Sequence, residues 1–331
     1  MRFDKKNLTK ILSLLAEGRE LFVPGTVRGI RQFKLWEGET PDLVGENTVM
    51  PPKDILFPKT EKMYTYTTGQ NTAISEIVET PQRVIFGLRP CDMLSIERMD
   101  SVFLREGYED TFYARRRSGS LLVAIACPGA GENCFCESMG VDPNRAEGAD
   151  IFLADTGASF LVTAQTEKGR TEVEKWKPCL TEDGGGKAAE VHCTLSVPMS
   201  AELSEKLPGL FSDNEFWESL SDPCLHCGTC AFVCPTCYCF DISRANTGDE
   251  GIAFRCWDTC MASDYNLNAG GRNGRPTKKE RLRNRYMHKL SYFYERHDKA
   301  LCVGCGRCIT KCPGHLDIAE FICKAAEVCH D

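Results

Sequence analysis

Two cysteine runs constrain this chain more than any other part of its sequence. Cys224 to Pro235 reads "CLHCGTCAFVCP", and Cys302 to Pro313 reads "CVGCGRCITKCP". Both follow C-x2-C-x2-C-x3-C-P, the spacing with which thiolates hold [4Fe-4S] clusters. Three thiolates two residues apart can wrap one cubane as the backbone curls around it. Small residues inside the runs (Gly228 and Thr229, Gly304 and Gly306) let backbone amides approach the cluster sulfurs. Zinc also takes C-x2-C pairs, but a structural zinc needs only four ligands. It does not call for three thiols and a proline-marked fourth, twice over.

The fourth cysteine of each run heads away into a following helix, and in two-cluster proteins it ligates the other cluster. The expected assignment is therefore crossed. One cluster takes Cys224, Cys227, Cys230 and Cys312, and the other takes Cys302, Cys305, Cys308 and Cys234. Completed in this way, neither set leaves an open iron for substrate, which favours electron transfer over catalysis.

Sixty-seven residues separate Cys234 from Cys302, far more than a compact two-cluster unit needs. Most of this insert reads as helix. From Thr277 to His297 it has no Gly or Pro, and Leu282, Tyr286, Leu290 and Phe293 form an apolar stripe. Thr277 is placed to cap it. This layout resembles the helical ferredoxin domains of succinate dehydrogenase iron–sulfur subunits. Between Arg272 and Lys299 stand ten Lys or Arg against three acids. Charge runs are mostly solvated faces. Here the run can also compensate the negative charge of thiolate-ligated clusters or dock an acidic partner. Cys237, Cys239, Cys256 and Cys260 fall in the same insert, either as a further metal or redox site or as inert buried thiols.

Twenty cysteines would suggest disulfides in a short secreted chain. The opening "MRFDKKNLTKILSLLAEG" instead reads as an amphipathic helix, with Leu8, Ile11, Leu12 and Leu15 on one face, and lacks the apolar core of a signal peptide. No apolar run approaches the roughly 18 residues of a membrane span. A cytoplasmic location is expected, where thiols stay reduced and cysteines bind metal or do redox chemistry. The net charge of −7 gives no reason to expect nucleic acid or an anionic membrane as partner.

The first half reads as α/β, or α+β, over residues 1–213. A mainly α-helical two-cluster ferredoxin domain is expected over 214–331. "RVIFGLRPCD" is an apolar strand that breaks at Pro90 into a helix, with Asp92 placed as its cap, and "SLLVAIACPG" is a second buried strand. Each delivers a cysteine, Cys91 or Cys127, at its C-terminal end, where α/β folds commonly place sites. With Cys134 and Cys136 of "NCFC" they could hold a third cluster, or all four could be buried structural thiols. Cys179 and Cys193 read as incidental, and the C-terminal Cys323 and Cys329, in a helical pattern, as structural or free. "TEDGGGKAAE" reads as a surface loop. No G-x-G-x-x-G or Walker pattern occurs, so no nicotinamide or flavin site is expected on this chain.

Together, "FPKTEKMYTY", "VIFGLRPCDMLSIERMD", "NCFCESMGVDP", "CPTCYCFD", "CWDTC", "AGGRNGRP" and "CVGCGRC" resemble, in order and over most of the chain, the dicluster 4Fe-4S electron-transfer subunits. These include the dicluster component of anaerobic sulfite reductase, the beta subunit of cytosolic bidirectional nickel–iron hydrogenases (sulfhydrogenases), and the iron–sulfur component of flavin oxidoreductases that feed heterodisulfide reductase. The resemblance implies an electron relay between a flavin- and NAD(P)-binding partner and a catalytic subunit. It also implies a third cluster on Cys91, Cys127, Cys134 and Cys136. The alternative is an iron–sulfur enzyme with its own open iron in the N-terminal half.

Overall fold

The computed structural model describes residues 1–182 and 186–330. Its strands are β1 (Arg2–Asp4), β2 (Glu20–Val27), β3 (Ile30–Leu35), β4 (Thr60–Thr67), β5 (Ala73–Glu76), β6 (Arg83–Leu88), β7 (Ser120–Ile125), β8 (Ile151–Asp155), β9 (Ser159–Ala164), β10 (Phe240–Thr247) and β11 (Glu250–Trp257). Part of the expected glycine-rich loop, residues 183–185, lies outside the described residues.

The first half is the α/β unit that its apolar strands predict. One sheet runs β1-β9-β8-β7-β6-β2-β3. Its centre, β2, β6, β7 and β8, is parallel, and the edges are antiparallel. Strands buried on both faces read as continuous apolar runs, and every residue of β7 is buried. The helix Leu8–Ala16 lays Leu8, Ile11, Leu12 and Leu15 against one face, as its spacing predicts.

Because β6 and β7 are parallel neighbours, Cys91 and Cys127 emerge at the same end of the sheet. Cys91 sits in the first turn of the helix Pro90–Phe103. Asp92 acts differently from the expected cap. Arg89 is the N-cap residue, and Asp92 stands three positions on, accepting the Arg89 backbone N–H at 3.2 Å as the other half of a capping box.

The second half departs from the mainly helical expectation. Its insert begins with a β-hairpin, β10 and β11, before any long helix. The signal was present in the sequence: Gly248-Asp249 is a two-residue turn between two eight-residue strands, and Gly248 takes a φ of +62°. β11 also pairs with β4, giving a second sheet of order β10-β11-β4-β5. This sheet takes two strands from each half of the chain.

A buried ionic knot fixes that junction. Arg255 on β11 is 1% exposed. Its Nε donates to Glu61 at 2.5 Å and its guanidinium holds Asp110 at 2.5 and 3.2 Å, while Arg116 also pairs with Glu61. Removing one partner of a buried set leaves uncompensated charge. Arg255→Met is therefore expected to cost about 3–5 kcal/mol, read as a lower midpoint in chemical denaturation.

Beyond the hairpin the helical expectation holds. Lys278–Met287, a π-turn at His288–Tyr292 and Phe293–His297 run on continuously. Leu282, Tyr286, Leu290 and Phe293 are all buried. Thr277 and Glu280 close a capping box at its start. Leu282, Tyr286 and Leu290 share one core with Trp217 and with Ile318, Phe321 and Ile322 of the C-terminal helix Ile318–His330. Among the described residues, no helix is long and apolar enough to cross a membrane.

Candidate metal centres

The two cysteine runs share one backbone trace. Each curls through two left-handed positions, His226 (φ +56°) and Gly228 (+72°) in the first, Gly304 (+63°) and Gly306 (+72°) in the second. A short helix then carries the third cysteine, Thr229–Phe232 or Arg307–Thr310. The copies differ at the first of these positions for a packing reason. A Cβ on Gly304 would stand 2.6 Å from the Phe135 oxygen and the Cys136 Cα, and one on Gly306 would stand 2.6 Å from the Asn133 oxygen. The second run therefore lies directly on the loop bearing Cys134 and Cys136, and the Phe135 N–H donates to the Gly304 carbonyl at 2.9 Å. The first run has no such constraint at His226, where a side chain is accommodated.

Cysteines line three adjoining cavities. The first is bordered by Cys224, Cys227, Cys230 and Cys312, with Cys308 in its wall. The second is bordered by Cys234, Cys302, Cys305 and Cys308. The third is bordered by Cys91, Cys127, Cys134 and Cys136, with Cys305 in its wall. The fourth cysteine of each run thus faces the other run's cavity. Among the described residues, no three or more His, Cys, Asp or Glu side chains close on a single-ion site.

Burial dominates the chemistry of these thiols. It pushes Cys91 and Cys308 well up and takes Cys134 and Cys302 to about 11. Thiolate ligation must therefore displace protons and bring positive charge with it. Part of that charge is already built in. Arg285, 2% exposed, donates to the Cys237 sulfur at 2.9 Å and to the Cys230 carbonyl at 2.7 Å. Burial opposes its charge, but the surrounding thiols Cys230, Cys237 and Cys234 outweigh that and hold it protonated. Lys289, one turn on, reaches Thr236 at 3.0 Å beside Cys234. Arg281, Arg285 and Lys289 form a buried stripe, so part of the basic run points inward rather than to solvent.

The third cavity has its own cations. Arg89, 5% exposed, directs Nη1 to the Cys127 sulfur at 3.5 Å. Arg307 is fixed by Asp92 at 2.8 Å and by the Thr48 carbonyl at 2.6 Å, and its Nη1 is buried without a hydrogen-bond partner. An orphaned guanidinium N–H near Cys91 and Cys305 suits a site meant to receive an anionic group. Sequence reading missed Lys53, Arg89 and Arg307: Lys53 is distant in sequence from Cys237, and although Arg89 and Arg307 stand two residues from Cys91 and Cys305, their contacts with Cys127 and Asp92 come only from the fold. Lys53 donates to the Cys237 carbonyl at 2.7 Å.

The remaining thiols divide. Cys237, Cys239 and Cys260 gather beside the second cavity, whereas Cys256 stands apart on β11, opposite Asp241. Cys193, expected to be incidental, lies 3.5 Å from Cys136. Cys179 packs in the core of the first sheet, and Cys323 and Cys329 lie on the C-terminal helix.

Comparison with known proteins bears on the region of the two runs and on the chain as a whole. A family model described as a 4Fe-4S dicluster domain matches residues 223–316. The sulfhydrogenase 2 subunit beta of Pyrococcus furiosus is 30% identical over 288 residues, covering 85% of this chain and 84% of its own. No solved structure matches. With the paired runs, their matched region and a likeness over most of both chains together, the chain belongs to the dicluster [4Fe-4S] electron-transfer subunit family.

Proposed function

We propose that the chain carries three [4Fe-4S] clusters in a line and relays electrons between two partner subunits of a cytoplasmic redox complex. The first would be held by Cys224, Cys227, Cys230 and Cys312, the second by Cys302, Cys305, Cys308 and Cys234, and the third by Cys91, Cys127, Cys134 and Cys136. When bound, each supplies a one-electron carrier. The observation that carries the reading is the pair of shared walls. Cys308 borders the first and second cavities, and Cys305 borders the second and third. The second cavity is thus the middle of a row that runs from the dicluster region into the α/β unit.

Exposure gives the row an outlet. Cys227 is exposed, and Leu225 and Phe232 beside it are 65% and 39% exposed. The partners fitting the two ends are one that binds flavin and NAD(P) and one that is catalytic, as the family resemblance implies. At least four thiols border each cavity, which removes support from an enzyme with an open iron of its own.

Iron and acid-labile sulfide in anaerobically purified protein are expected at about twelve of each per chain, four per cluster. Cys134→Ala should lower the count by about four and leave the other two clusters' paramagnetic resonance in place. Fewer than about eight irons in intact wild-type protein would refute the relay, and about eight would refute the third cluster.

A further inference from the structure

The thiols that the relay does not use form an ordered cluster of their own. Cys239 ends the segment before β10, and its carbonyl accepts the Asp258 N–H at 3.0 Å. The first pair of the hairpin, Phe240 with Trp257, locks that register. Two residues beyond Asp258, Cys260 is thereby brought against Cys239, and the two side chains hydrogen-bond. Cys260 is 7% exposed. The Tyr265 hydroxyl also bonds the Cys239 sulfur. Cys237 fills the space on the other side. It neighbours Cys260, hydrogen-bonds with Cys234 and accepts from Arg285 at 2.9 Å. A continuous thiol path thus runs from Cys260 through Cys237 to Cys234, a residue of the middle cavity.

Cys239 and Cys260 come from the two ends of one hairpin, so bonding them would close a loop already held shut by backbone pairing. Two thiols in side-chain contact need little backbone movement to pair. Neither can be read as a ligand of the three proposed clusters, since each cavity already has four thiols.

We propose that Cys239 and Cys260 form a dithiol/disulfide couple that exchanges two electrons with the relay beside its middle cluster. On oxidation the Cys260 S–H bond breaks and its proton leaves to solvent, one S–S bond forms between it and the Cys239 thiolate, and two electrons pass singly to the iron–sulfur carriers. Reduction reverses each change. The couple would let a one-electron wire store an electron pair, the unit in which a flavin or a nicotinamide delivers charge. The Cys239 thiol is drawn down to about 6, first by the hydrogen bond from Cys260 and despite burial, which suits the thiolate needed for exchange. Cys256 is excluded, because it stands on β11 opposite Asp241 and the groups beside it are the carboxylates of Asp241 and Asp258, not a thiol.

The proposal rests on the three-cluster reading, and one experiment separates the two. Anaerobic holoprotein is poised at a series of potentials with redox mediators, then acid-quenched, unfolded and alkylated, and its cysteine peptides are weighed. Iron content is measured on the same samples. Cys239 and Cys260 should appear joined and unalkylated at the oxidising end and both alkylated at the reducing end, following a two-electron curve. Full alkylation of both at every potential, with iron intact, would overturn the couple. Low iron with normal disulfide cycling would instead overturn the three-cluster reading. Cys239→Ser and Cys260→Ser should each keep the iron count and lower the reducing equivalents taken up by about two per chain. Unchanged uptake in both variants would also overturn the proposal.

Discussion

Replacing Cys234 with alanine is expected to remove one cluster's worth of iron, about four atoms per chain, and to abolish electron passage along the row. The loss should fall on the middle of the row, not on the first run to which Cys234 belongs in sequence. Cys234 borders the same cavity as Cys302, Cys305 and Cys308. Cys312 in turn borders that of Cys224, Cys227 and Cys230. A variant without Cys234 should therefore keep the resonance signals assigned through Cys224→Ala and Cys91→Ala to the two ends. If instead Cys234→Ala and Cys224→Ala erase the same signal, each run holds its own cluster and the crossed arrangement is wrong. Electron transfer from a flavin partner to the far end, followed by stopped-flow, should drop to background, because the two remaining carriers no longer adjoin.

The second large effect is expected from Arg285→Met. Arg285 is buried between the first and second cavities and lines both. A reduced cluster is more negative than an oxidised one, so a nearby fixed cation favours reduction. Removing it should make the potentials of both bordering clusters more negative. One charge about 6 Å away at an effective dielectric of about 20 is worth about 3 kcal/mol. For a one-electron couple that corresponds to a shift on the order of 100 mV. The third cluster, compensated by Arg89 and Arg307, should move far less. Potentiometric titration followed by paramagnetic resonance separates the cases. Equal shifts in all three, or none, would contradict the role given to Arg285. Arg285→Lys keeps the charge and should recover most of the potential while losing the forked contact to Cys230 and Cys237.

Much of this molecule was legible because its signals are local. The run spacing picked out the cysteines that line the first two cavities, and the apolar stretches of β6 and β7 predicted two buried strands that each lead to a cysteine, Cys91 or Cys127. The stripe through Leu282, Tyr286, Leu290 and Phe293 predicted a helix that the structure contains. The hairpin of β10 and β11 was overlooked although Gly248-Asp249 marks its turn, because β10 is largely exposed, β11 is mostly half-buried, and their polar residues mask the alternation. Non-local features had no such signal. That Gly304 lies on Phe135, that Arg307 reaches Asp92, or that Arg255 ties β11 to Glu61 and Asp110 depends on segments brought together only by the fold. The basic stretch shows the limit most clearly: composition counts Arg281, Arg285 and Lys289 with their exposed neighbours, but only the packing of the helix buries all three and turns Arg285 and Lys289 toward the thiols.

The account stands on the linear order of three clusters, and paramagnetic resonance of the fully reduced protein tests that order most directly. Adjacent reduced clusters couple magnetically and broaden one another's signals. Wild-type protein is expected to show a coupled set of three. Cys134→Ala and Cys224→Ala, each missing one end, should both retain a coupled pair, whereas Cys234→Ala, missing the middle, should show two narrow and uncoupled signals. A coupled pair surviving in Cys234→Ala, or an end cluster uncoupled in wild type, would contradict the row.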